Sequence, residues 1–259
     1  MKVAVSGKGG VGKTLIAGAL AYSFANKGLK TIAIDADPSP NLALTLGLSF
    51  EEAREIVPIS ENKELVKSKT SIASSDVFRL SFTVDDVVRD FSVKTPFNVN
   101  LIVMGTVKSM GSGCACPANA VVRALLRHLV VERDEAVVLD MEAGIEHIGR
   151  ATAQHVDAML VVVDANMKSL EIANRIHELG SKAGLSQILL VGNKIENAKH
   201  KQAIESFAEK NGLQILGFVP FDQEIAEADM RGETPLLHGK SKAVRAIGEL
   251  CNVIMAKNT

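Results

Sequence analysis

The sequence predicts an α/β fold, with a mostly parallel, twisted sheet and helices on both faces. Three observations predict it. Apolar, β-branched runs alternate with amphipathic stretches throughout the 259 residues. The runs are almost continuously Val, Ile, Leu and Ala, as strands covered on both faces must be. A Gly-rich loop joins the first run to the first amphipathic stretch. Such alternation with short connections implies right-handed crossovers and binding sites at the carboxyl ends of the strands.

Predicted strands are Lys2–Ser6, Thr31–Asp35, Asn100–Met104, Ala136–Asp140, Ala158–Asp164, Gln187–Asn193 and Gln214–Val219. Predicted helices include Lys13–Asn26, Ala118–Val131, Ser169–Gly180, Lys199–Lys210 and Lys240–Ala256. Gly28, Gly180, Gly184 and Gly212 sit where helices should stop. Residues 49–96 break the rhythm with Glu51-Glu52-Ala53-Arg54-Glu55, Lys- and Ser-rich sequence, and an acidic Val84–Asp90 stretch. They read as an insertion of short helices and loops within one domain spanning 1–259.

Composition narrows the functions. A net charge of −1 argues against broad electrostatic DNA binding. Aromatics are 4 % with no Trp and one Tyr, so base-stacking platforms are not expected. No apolar run approaches membrane-spanning length, and the chain enters a strand without a leader, so a cytoplasmic location is expected. Three cysteines do not make a disulfide scaffold. Neither a nucleic-acid nor a membrane partner is expected.

The loop Gly7-Lys8-Gly9-Gly10-Val11-Gly12-Lys13-Thr14 satisfies G-x-x-x-x-G-K-[ST] in full. Its glycines let backbone N–H groups converge on phosphate oxygens, and the following helix adds its positive end. Lys13 can reach the β- and γ-phosphates, and the Thr14 hydroxyl can ligate Mg²⁺. The fold class is therefore a single-domain P-loop NTPase. Lys8 adds a second lysine, and with it the loop resembles the deviant Walker A loop of the MinD/ParA/nitrogenase-iron-protein class of dimeric ATPases. That resemblance implies that Lys8 crosses a subunit interface to the partner's nucleotide, and that two copies sandwich two nucleotides.

Asp35-Ala36-Asp37-Pro38 follows the second strand, beside the expected γ-phosphate. A carboxylate there can orient the attacking water or hold the metal shell. The resemblance assigns the water to Asp37 and support of Mg²⁺ to Asp35. Asp140 ends a buried apolar strand and needs a partner, which Mg²⁺ on Thr14 supplies. Met141-Glu142-Ala143-Gly144 resembles the second switch of the class. Glu142, Glu146 and His147 are either solvated switch residues or participants in metal staging. The resemblance also turns Asn193 toward the adenine edge with Lys194 beside it, and borders the base with backbone groups of Pro220 and Phe221. Glu196 stands where a GTPase Asn-Lys-x-Asp pattern has Asp, which favours ATP.

Cys114-Ala115-Cys116-Pro117 lies on a Gly- and Pro-flanked loop before a predicted helix. Helix N-termini stabilise thiolates, and both sulfurs can address one ion. Two ligands are too few for a closed tetrahedral site, and a second copy across a two-fold axis completes four. Soft thiolates suit Ni²⁺, Zn²⁺ or an iron–sulfur cluster. Cys251, in the last apolar helix, reads as a core residue. The loop, Asp-Ala-Asp-Pro, Cys-x-Cys-Pro and Asp-Met-Glu-Ala-Gly-Ile-Glu-His together resemble the CooC-type nickel-insertion ATPases. That resemblance implies an ATP-dependent metallochaperone, dimerising on ATP or metal, whose client is apo carbon monoxide dehydrogenase or acetyl-CoA synthase. Two other functions share the loop: an iron–sulfur reductase like the nitrogenase iron protein, and a MinD/ParA-type positioning ATPase. The first takes its cysteines from two separated positions, unlike this pair. The second needs a basic or membrane-seeking surface, and the tail Cys251–Thr259 lacks a strong basic amphipathic face.

Overall fold

A computed structural model describes residues 1–37, 40–62, 70–72, 78–80, 88–89, 92–105, 135–141, 156–237 and 241–257. The predicted helix Ala118–Val131, Cys114, Cys116, Glu142, Glu146 and His147 lie outside the described residues.

The sheet strands are β1 (Lys2–Gly7), β2 (Lys30–Asp35), β5 (Val93–Lys94), β6 (Val99–Val103), β7 (Glu135–Asp140), β8 (Ala158–Val163), β9 (Ile188–Ile195) and β10 (Gln214–Pro220). Their order is β10-β9-β8-β1-β7-β2-β6-β5. Every pairing is parallel except β5 with β6. The two strands β3 (Thr70–Ile72) and β4 (Phe78–Leu80) form a separate antiparallel pair. β1 is central, flanked by β7 and β8, so the loop leaving it is surrounded by other strand ends.

The helices are α1 (Lys13–Asn26), α2 (Leu42–Thr45), α3 (Phe50–Glu55), α4 (Met167–Lys182), α5 (Ala198–Asn211), α6 (Gln223–Arg231) and α7 (Lys242–Lys257). Strand side chains alternate between two cores. Val3 and Val5 join Ile16, Leu20 and Phe24 of α1 and Ile247 and Leu250 of α7 on one face. Ala4 joins Leu170 and Ile176 of α4 and Ile204 and Phe207 of α5 on the other. Helices therefore cover both faces, as the continuous apolar strands require.

The predicted strands recur with ends moved by a residue or two. Within residues 49–96 the expectation of short helices and loops omitted strands: β3, β4 and the edge strand β5 lie there. Those strands are two or three residues long, too short for alternation to register in a sequence. Gly180 was expected to stop a helix but lies inside α4, where a Cβ would come within 2.7 Å of Ile188 Cδ1. It serves close packing, and Gly184, at φ 88, follows the true end. Ser49 and Glu52 form a reciprocal capping box at the start of α3, with bonds of 3.1 and 2.7 Å.

Candidate functional site: a phosphate loop opening into a cleft

The loop between β1 and α1 is held from below and from one side. Val11 is fully buried and fixes its middle in the core. Gly12 caps α1 at φ 93, and a Cβ there would lie 2.4 Å from Asn193 Nδ2. Only glycine meets both demands. The Asn193 amide donates to the Val11 carbonyl at 2.8 Å, and Lys194 Nζ donates to the Gly10 carbonyl at 2.8 Å. Two loop carbonyls are thus turned toward β9. The Lys13 ammonium lies back on the Lys8 carbonyl at 3.4 Å.

Asp35 and Asp140 are direct neighbours in the parallel register of β2 and β7, and Val5 of β1 pairs with Asp140. Their environments differ. Asp35 Oδ1 accepts from the Asp37 N–H at 3.1 Å, and Oδ2 from the Leu42 N–H at 2.9 Å. Burial raises its pKa, and these backbone bonds oppose the rise. Asp140 is equally buried, yet neither oxygen has a hydrogen-bond partner among the described residues. Burial pushes its pKa up to about 7; the nearby Thr14 hydroxyl and Lys13 ammonium pull it down, and Asp35 and Asp37 push it further up.

A buried carboxylate without a donor, beside a hydroxyl, is an oxygen-ligand set suited to a hard cation. Asp140 and Thr14 therefore fit Mg²⁺, with Asp35 behind them. Mg²⁺ held there would neutralise charge on phosphate oxygens.

Beyond the loop opens a cleft of about 610 Å³. Gly9, Gly10, Gly12, Lys13 and Thr14 line its loop end, with Asp37, Asn193 and Lys194 close by. Pro220 and Phe221 line the side wall. The Phe221 N–H donates to the Ile195 carbonyl at 3.0 Å, so that backbone donor is occupied. Asp222 accepts from Ser241 Oγ at 2.8 Å, the Ala243 N–H at 3.1 Å and the Glu224 N–H at 3.1 Å. Burial would raise its pKa, but these bonds outweigh it and hold the carboxyl below the usual range.

The sequence reading missed the far wall. Leu44, Thr45 and Phe50, from α2 and α3, line it together with Asp229 and Gly232, and the Phe50 ring packs against Gly232. The Thr234 hydroxyl ties this wall together by donating to the Thr45 carbonyl. An available signal was Asp222 before Glu224 and the apolar Ile225 and Ala228, an N-cap pattern announcing α6.

Among the described residues, no group of three or more His, Cys, Asp or Glu is placed to hold a metal ion. Cys251 is buried, and burial pushes its thiol up to about 11, so it stays protonated and unreactive. No helix among the described residues is long and apolar enough to cross a membrane.

The fold and loop together define a P-loop ATPase of the MinD/ParA type. Solved structures agree on the fold: the Pyrococcus furiosus cell division ATPase MinD matches with a TM-score of 0.70 at 21 % identity, covering 100 % of this chain and 99 % of that one. A ParA family ATPase from Chlorobium tepidum gives 0.72 at 17 %, covering 97 % of each. Residues 2–236 match the model of the CobQ/CobB/MinD/ParA nucleotide binding domain, and the chain belongs to that family of ATP-binding proteins. It is 41 % identical over 234 residues to the carbon monoxide dehydrogenase accessory protein CooC of Rhodospirillum rubrum, covering 90 % of this chain and 88 % of the relative. It is 40 % identical over 263 residues to an uncharacterized ATP-binding protein of Methanocaldococcus jannaschii, with both chains fully covered.

Proposed function

We propose that this ATPase is a metallochaperone that delivers nickel to apo carbon monoxide dehydrogenase or acetyl-CoA synthase. The observation that carries the reading is the 41 % identity to CooC across 90 % of the chain. The Cys114-Ala115-Cys116 pair supports it as the cargo site, because Cys251 is buried and protonated. Two copies bring two such pairs together and complete four thiolates around one ion.

Loop N–H groups and Lys13 bind the β- and γ-phosphates of ATP. Lys8 reaches the nucleotide of the second copy. Asp37 orients the attacking water and accepts its proton. ATP binding closes the dimer and orders the thiolates; hydrolysis reopens it and releases the metal to the client. Nucleotide and metal affinities must then change each other reciprocally.

The test is an anaerobic nickel titration with mass measured in parallel, with and without ATP. One nickel per two chains, shifted by nucleotide and lost in the Cys114→Ser, Cys116→Ser double variant, is expected. A double variant that still binds one nickel per dimer overturns the cysteine site. A wild-type chain that binds no nickel but accepts an iron–sulfur cluster would turn the reading toward reductase chemistry. That alternative has its own support in a 25 % identity, over 94 % of this chain, to a protochlorophyllide reductase iron-sulfur ATP-binding protein of Rubrivivax gelatinosus.

A further inference from the structure

The helices α3 and α6 meet where the Phe50 ring packs against Gly232, the residue that caps α6. Residues 50–55 and 223–233 hold seven carboxylates and two guanidinium groups, a local net charge of −5 in a chain of net −1. Arg231 pairs with Glu227 at 3.8 Å and with Glu233 at 2.9 Å. Among the described residues, Glu51, Glu55 and Glu224 form no ion pair. A nucleotide at the loop is itself negatively charged, so these carboxylates do not add to its binding.

Among these charges, large apolar side chains stand in water. Met230 is 80 % exposed, Leu237 69 % and Phe50 49 %. Exposed Ala226 lies one turn before Met230 on α6. The backbone beneath them is fixed. The Glu233 N–H donates to the Ala228 carbonyl at 2.9 Å and closes the end of α6 around Gly232, at φ 68. The Thr234 hydroxyl ties the next residues to α2, and the capping box of Ser49 and Glu52 fixes the start of α3. A preorganised apolar patch rimmed by charge is the kind of surface on which proteins dock, and methionine adapts its shape to what covers it.

We propose that the rim formed by α3, α6 and the 3₁₀ turn Pro235–Leu237 docks a second protein through a basic segment that carries apolar side chains. Charge complementarity selects this occupant. Lysines and arginines of the segment meet the carboxylates, and its apolar side chains cover Met230 and Leu237. The same carboxylates repel a nucleic acid or an anionic bilayer. A second copy docking this face on itself across a two-fold axis would set −5 against −5. The inference goes beyond the nickel reading and requires no metal.

The probe is a fluorescent amphipathic peptide of about 18 residues, five helical turns, with Leu on one face and Lys on the other. Its counterparts carry Glu for Lys or Ser for Leu. Anisotropy with the full chain should show binding of the Lys/Leu peptide alone. Met230→Ser with Leu237→Ser should raise its Kd about 10-fold, and so, separately, should Glu51→Lys with Glu224→Lys. The lysine pair should also flatten the salt dependence. Glu171→Lys with Glu178→Lys, at exposed positions of α4, makes the same change in net charge elsewhere and should leave the Kd unchanged. An unchanged melting temperature shows that each variant is folded. Met230→Gln with Leu237→Gln, which keeps side-chain volume, takes the place of the serine pair if that pair melts early. No binding by wild type, an equal loss in the α4 pair, or no loss in the pair that removes the apolar side chains overturns the proposal. So does a concentration-dependent dimer that the same pair abolishes, which would give the face to a second copy.

Discussion

The two ends of the cleft are built differently. The phosphate end is local: eight consecutive residues from Gly7 to Thr14, backed by the buried Asp35 and Asp140 on adjacent strand ends. The far end is assembled from α2, α3, α6 and the start of α7, held by single side-chain bonds such as Thr234 to Thr45 and Ser241 to Asp222. Charge at the first end is concentrated in buried Lys13, Asp35 and Asp140, where electrostatic interactions are stronger than in water. Contact at the second end is apolar and partly exposed. Chemistry is therefore expected to depend steeply on the phosphate end, and affinity and stability more gently on the far end.

Lys13→Ala should break the comparison most strongly. It removes the ammonium proposed to bind the β- and γ-phosphates. Losing one preorganised charge-stabilising donor typically lowers turnover by about 10²- to 10³-fold. Phosphate release measured at saturating ATP should fall by that factor, far beyond any change from an alanine at the far wall. Near-normal turnover would mean that the loop does not hold the reacting phosphates.

Asp140→Asn tests why the phosphate end is costly to build. With its folded pKa raised to about 7, Asp140 keeps a proton in the folded chain that the unfolded chain has already released. Its contribution is therefore best at low pH and declines as pH rises from the ordinary carboxylate range through about 7. That shift corresponds to a penalty on the order of 4 kcal/mol at alkaline pH. Asp35 acts in the same direction. Without nucleotide or Mg²⁺, the Asn variant should be more stable than wild type at pH 8, by chemical denaturation, and the gap should close only as pH falls toward 3. With Mg²⁺ and ATP the ranking should reverse, because only the carboxylate holds the cation. Parallel pH profiles in both proteins would show that Asp140 is not the source of the strain.

Much of the phosphate end was legible in the sequence because its information is contiguous. The loop motif, the strand before it and the helix after it occupy one stretch, and α1 was predicted at its observed bounds. The difference between Asp35 and Asp140 was not legible. Both end an apolar strand, and only the fold places the Leu42 and Asp37 N–H groups on one and no donor on the other. The Asn193-Lys194 pair was visible, but its hydrogen bonds to residues 182 and 184 positions away were not. Phe50 was hidden for the same reason: its neighbour Gly232 is distant in sequence, and a lone phenylalanine within residues 49–96 carries no periodic signal.

The smallest expected effect belongs to Asp222 at the far end. Its carboxylate accepts from Glu224 at the start of α6 and from Ser241 and Ala243 at the start of α7, so one side chain joins two helix N-termini. Asp222→Ala should cost about 2 kcal/mol, since hydrogen bonds to a charged group are each worth roughly that much and water replaces part of the loss. For a chain of this size that is a fall of roughly 4–8 °C in Tm. The folded pKa is depressed, so the stabilisation is present above the ordinary carboxylate pKa and disappears as pH falls through the lower folded value. The gap between wild type and variant should therefore close on acidification, opposite in sign to the Asp140 pair. Tripolyphosphate binding should be unchanged in Asp222→Ala while ATP binding weakens, because α6 lines the cleft beyond the loop and not the loop itself. An equal loss for both ligands would show that the two ends of the cleft are mechanically one.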